Sequence, residues 1–129
     1  MPSEVSSMPV IDADSHWTEP PDLWSSRAPA HLRDQVLRVE RSDKGVDRWV
    51  FDDGEIMGPV GYCSIRPDGS KGRAQVAFDT FDECHPGAIE VAPRLEYMDE
   101  HGLTMQIVYP NVLGFAGGGI MRVKDEAHR

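Results

Sequence analysis

The sequence has 129 residues, 27% of them charged and 40% hydrophobic, which is the composition of one ordinary globular domain and not of a disordered segment. Its 22 acidic residues against 13 basic ones leave a formal charge of −9, the wrong sign for collecting nucleic-acid phosphates. No apolar run approaches the roughly 18 residues that span a bilayer, and no basic amphipathic stretch suits a membrane surface.

The first ten residues, MPSEVSSMPV, lack the basic and apolar regions of a secretory signal, so a cytoplasmic location is expected. Cys63 and Cys84 lie far apart, form no CxxC pair and are expected as free thiols. Cys84 is followed by His85, but sequence neighbours point apart, so the pair is given little weight as nucleophile and base.

A first strand is predicted at Met8–Ala13, where Val10 and Ile11 precede the polar run of Asp12, Asp14 and His16. A short helix is predicted at about 21–26. Thr18 is a candidate cap, Pro20 and Pro21 suit the first turn, acidic groups suit its positive end, and Pro29 lies beyond it. Val36–Glu40 and Arg48–Phe51 alternate with period two around the turn residues Ser42-Asp43-Lys44-Gly45, which predicts a β-hairpin. Glu55-Ile56-Met57 is a candidate third strand. Residues 58–90 hold many breakers and read as a long irregular excursion.

A helix is predicted at Ala92–His101, with Pro93 in its first turn, Leu95 and Met98 on one face and Gly102 as its left-handed terminator. A strand follows at Thr104–Tyr109. The run from Gly114 to Gly119 reads as a glycine-rich loop, and another helix starts within Met121–Arg129. The order strand, excursion, helix, strand predicts parallel pairing through a crossover. The chain divides into a first strand and turn over 1–24, a hairpin-containing insertion over 25–90, and a helix, strand and helix start over 91–129.

Chemistry concentrates in Val10-Ile11-Asp12-Ala13-Asp14-Ser15-His16. Alternate strand residues share a face, so Asp12, Asp14 and His16 are expected to project together, with Asp14 and His16 about 7 Å apart along the strand. A carboxylate beside an imidazole suits Zn, Mn or Fe better than Ca or Mg. A calcium loop fails, because Trp17 stands where that loop needs glycine and Leu23 where it needs glutamate. The plain alternative is that Asp12 and Asp14 cap a turn and His16 is a solvated strand-end residue.

The segments VIDADSHWTEPPDLW and LEYMDEHGLTMQIVYPNVLGF together resemble the amidohydrolase-related (amidohydrolase 2) family, which includes aminocarboxymuconate-semialdehyde and γ-resorcylate decarboxylase types. In that family the first strand ends in His-x-His or a carboxylate-x-His variant, and here Asp14 and His16 stand at those two positions. The resemblance implies a TIM-type (β/α)8 barrel with its site at the carboxyl ends of the strands. It also implies a bound divalent metal, with Zn first and Mn or Fe as alternatives. A barrel of that kind needs about 250 residues, so these 129 would supply only its first two strand units.

The function expected on this basis is that of a metal-dependent hydrolase or decarboxylase (a lyase) acting on a small carboxylated or cyclic substrate. Asp14 and His16 would be ligands, with Asp12 and Glu19 as support and Trp17 and Asn111 towards the substrate. Trp24 is a weaker pocket candidate, His101 reads as a helix-end residue, and His31 and His85 are unassigned. Expected partners are a small-molecule substrate and a second copy of the chain, with no nucleic acid and no membrane. The alternative is a truncated, non-catalytic remnant or association module, because an unfinished parallel sheet needs cover.

Overall fold

In a computed structural model, which describes residues 8–61, 65–71 and 77–112, the regular elements make two separate sheets and one α-helix. Strand β1 (Val10–Trp17) pairs in parallel with β5 (Leu103–Pro110). Strands β2 (Arg38–Arg41), β3 (Asp47–Phe51) and β4 (Glu55–Pro59) form an antiparallel sheet in that order. Helix α1 (Val91–Glu100) leads directly into β5.

The antiparallel sheet follows from local chemistry. Gly45 takes φ +74 in the β2–β3 turn, where Gly45 N donates to the Ser42 carbonyl (2.9 Å) and Ser42 N to that of Val46 (2.9 Å). This left-handed position suits glycine. Asp47 begins β3 almost buried and receives both Nε and Nη2 of Arg41, at 2.6 and 2.9 Å. That is the fork geometry by which a guanidinium neutralises a carboxylate.

The hydrophobic core lies here. Leu37, Trp49, Val60 and Val112 are buried together, with Trp24, Val39, Phe51, Met57 and Phe81 packed around them. Trp49 is 1% exposed and meets Trp24 and Phe81 edge-on, with centroids 5.5 and 6.2 Å apart. Gly61, Phe78 and Cys84 close one border of this unit, with Gly61 and Phe78 joined by an isolated bridge.

This architecture corrects the expected fold class. The described residues do not form the opening of a (β/α)8 barrel: there is one α-helix, and the sheets are a parallel pair and a separate antiparallel triplet. Barrel strands are buried on both faces. Here Ile11, Met105 and Ile107 on the parallel pair are 55%, 54% and 47% exposed, and the core is built mainly from the segment expected to be an insertion, with Val112 and Trp24 joining it from outside.

The helix expected at about 21–26 is also corrected. That stretch is a chain of turns, with Leu23 N donating to the Pro20 carbonyl (3.0 Å) and Ser26 N to that of Asp22 (2.9 Å). Prolines at 20, 21 and 29 bracket it, and so short a stretch gains little from helix propagation. From this stretch Trp24 reaches Trp49. Strand β1 runs four residues beyond its expected end, through His16 and Trp17. The glycine-rich run, the final expected helix and Cys63 lie outside the described residues.

Candidate functional site

The parallel pair places the polar end of β1 against the end of β5, with His16 opposite Tyr109 and Trp17 opposite Pro110. The register shifts between Asp12 and Ser15, where three steps on β1 match two on β5. That bulge changes which side chains share a side. Asp12 accepts from Ser15 Oγ (2.5 Å), Gln106 Nε2 (3.2 Å) and the Asp14 backbone N–H (3.1 Å). Asp12 therefore turns with Ser15 and Gln106, and the expectation that it projects with Asp14 and His16 is corrected. These hydrogen bonds, Ser15 first, hold its carboxyl below the usual carboxylate range.

Asp14 and His16 do come together. Asp14 Oδ1 lies 3.8 Å from His16 Nε2, with the carboxylate largely exposed and the imidazole about one-third exposed. Two ligands held at 2.0–2.1 Å on a tetrahedral ion sit roughly 3.3 Å apart, so a small rotation brings both onto one ion. The Tyr109 ring lies beside the imidazole at 6.2 Å between centroids. The donor set fits Zn, Mn or Fe chemically, but it stops at two. Among the described residues no three His, Cys, Asp or Glu side chains converge on a point.

The remaining expected residues have other placements. Trp17 lies under the Arg94 guanidinium, 5.0 Å from ring centroid to Cζ. Asn111 Nδ2 donates to Thr18 Oγ1 at 3.0 Å, which ties the segment after β5 to the end of β1. Glu19 is buried at 5% exposure and accepts from the backbone N–H groups of Asn111 and Val112. Burial pushes its carboxyl up, against the effect of those bonds. Trp24 belongs to the core. His85 Nδ1 accepts from Gly87 N (3.0 Å), while Cys84 is buried with Sγ donating to the Thr80 carbonyl (3.8 Å), so the two do not form a dyad. His101 stacks on Tyr97 at 4.0 Å, and His31 lies exposed in a 3-10 turn.

Arg94 was not anticipated. Its Nε donates to the Gly87 carbonyl (2.7 Å), Nη2 to the His16 carbonyl (2.6 Å) and Nη1 to Gln106 Oε1 (3.3 Å). Its position carried a signal, since a cation in the first turn opposes the helix dipole and needs a compensating partner. Gln106 carried one too, as a polar residue interrupting the apolar run of β5.

The chain matches no protein-family model and has no significant match among curated proteins. No helix among the described residues is long and apolar enough to cross a membrane.

Proposed function

We propose that this chain contributes two ligands, Asp14 and His16, to the divalent metal of an amidohydrolase-related hydrolase or decarboxylase. The ion would be Zn first, with Mn or Fe as alternatives, and the substrate a small carboxylated or cyclic compound. The observation that carries this reading is the 3.8 Å approach of Asp14 Oδ1 to His16 Nε2 at the carboxyl end of a parallel strand. The two-segment sequence resemblance points to the same pair. The ion, when bound, supplies Lewis acidity for activating water or for holding a substrate carboxylate. Catalytic sites of this type normally have three protein ligands, so further donors must join Asp14 and His16 for turnover.

The test is Zn2+ titration of the full chain, followed through the His16 ring signals by NMR. Saturable binding that shifts His16 and weakens about tenfold or more in both Asp14→Ala and His16→Ala supports the assignment. Undiminished binding in His16→Ala overturns it.

A second reading is favoured by the apolar side chains on the parallel pair, Ile11, Met105 and Ile107 among them, which are half-exposed. Such a surface suits association with another copy of the chain. Light scattering at micromolar concentration that finds only a cooperatively melting monomer would remove this reading.

A further inference from the structure

The end of β1 and the segment after β5 are joined by one buried carboxylate. Glu19 Oε1 accepts from Asn111 N (3.1 Å) and Val112 N (3.3 Å), and Oε2 from Val112 N (3.1 Å). These donors are all backbone N–H groups, and the residue is only 5% exposed. Two adjacent backbone N–H groups turned to one point form a small anion-binding concavity. Here the chain fills it with its own carboxylate.

The residue type follows from that geometry. Only a carboxylate presents two acceptor oxygens and no donor. Glutamine at this position would set an NH2 group against an N–H, and aspartate would fall one methylene short. An apolar side chain would take this acceptor from the part-buried Asn111 N–H and the buried Val112 N–H, and a buried N–H that loses its acceptor costs more than the bond contributes when made.

Location gives the contact its consequence. Glu19 follows His16 by three residues and Asn111 follows Tyr109 by two, while His16 and Tyr109 are register partners. The contact therefore lies just past the Asp14–His16 pair and sets the spacing of the two strand ends that border it. The neighbouring Asn111–Thr18 bond joins the same two segments. We propose that Glu19 is a positioning residue whose two acceptor oxygens, seated on the Asn111 and Val112 amides, register the segment after β5 against the end of β1. The metal reading above enters only through the second readout below.

The test compares the full chain with Glu19→Gln and Glu19→Ala by amide hydrogen exchange at Asn111 and Val112. Zn2+ titration of the same three proteins is the second readout. Glu19→Ala is expected to speed exchange at both amides by about tenfold or more, with Glu19→Gln in between. Formate added to Glu19→Ala is expected to slow exchange again, because it restores a carboxylate to the concavity. Zn2+ binding is expected to weaken several-fold in Glu19→Ala and to recover with formate. Exchange in Glu19→Gln equal to that of the unmodified chain would overturn the proposal, since the second acceptor oxygen would then be dispensable. So would formate leaving a folded Glu19→Ala unchanged, because the loss would then be one of packing. If the unmodified chain binds no Zn2+, the metal reading fails while the exchange results still decide the role of Glu19.

Discussion

Arg94 Nη2 donates to the carbonyl oxygen of His16 at 2.6 Å, so a helix side chain holds the backbone of the strand residue most central to the candidate site. The same guanidinium reaches Gly87 and Gln106 and lies over Trp17. Gln106 in turn donates to Asp12. Helix α1, the 3-10 turn Pro86–Ala88 before it, and both parallel strands thus meet at one planar cation. Its five fixed donors suit this use, where the single ammonium of lysine would not.

Replacing Arg94 by alanine is expected to lower unfolding stability by about 2 kcal/mol, because several charge-assisted bonds are lost and their carbonyl acceptors lose partners. Arg94→Lys is expected to recover less than half of that loss. Urea denaturation of the three proteins is the check, and equal midpoints for the unmodified chain and Arg94→Lys would refute the dependence on the fork.

Two carboxylates should pull stability in opposite directions with pH. Asp47 is held below the usual range, chiefly by its hydrogen bonds from Arg41. Its contribution is therefore present above the unfolded value of about 3.9 and lost as pH falls through the lower folded value. Asp47→Asn should flatten the acid limb of the stability curve.

Glu19 behaves inversely, since burial raises its folded value. The stability linked to its proton is fully present below about pH 4.3 and is lost as pH rises through the folded value. Glu19→Gln should remove that decline. Melting temperatures between about pH 3 and pH 7 measure both slopes, and parallel curves for the variants and the unmodified chain would contradict both assignments.

Trp49 is the centre of the antiparallel unit, almost fully buried between Trp24 and Phe81. Trp49→Ala is expected to cost about 3–5 kcal/mol through lost transfer energy and the cavity left behind. Trp49→Phe should cost less, because it retains much of the ring contact. Chemical denaturation monitored by far-ultraviolet circular dichroism orders the three proteins, and a loss below about 1 kcal/mol for alanine would place the core elsewhere.

Gly61 has no room for a side chain. A Cβ there would come 2.8 Å from Cys84 Sγ and 3.0 Å from Phe78 Cβ. Gly61→Ala is expected to destabilise by about 1–3 kcal/mol through overpacking. The double variant Gly61→Ala with Cys84→Ala should recover part of the loss by opening the closest contact, and thermal melts of both test the coupling.

Local chemistry was legible in the sequence wherever a pattern was resolved within a few residues. Alternation around Ser42–Gly45 marked the hairpin, Gly102 marked the end of α1 and takes φ +67, and the apolar run after it marked β5. The proximity of Asp14 and His16 was equally local, because alternate residues of a strand share a side. Asp12 departed from that rule for a reason no short window contains. Its side is set by a bulge, and the bulge is defined only by pairing with β5, more than ninety residues away along the chain.

Periodicity, turn residues and side-chain type thus suffice for the strands, the single described α-helix and one two-residue donor pair. Long-range packing alone decided where the core lies, which side Asp12 takes, and that Glu19, Arg94 and Gln106 join the strand ends. Trp49 shows the difference most plainly. Its apolar character announced burial, but only contact with Trp24 and Phe81 made the supposed insertion the core, while Ile11 and Met105 stayed exposed on the parallel pair. Hydrophobic burial is non-directional, so composition says which side chains need cover and the three-dimensional arrangement decides which of them receive it.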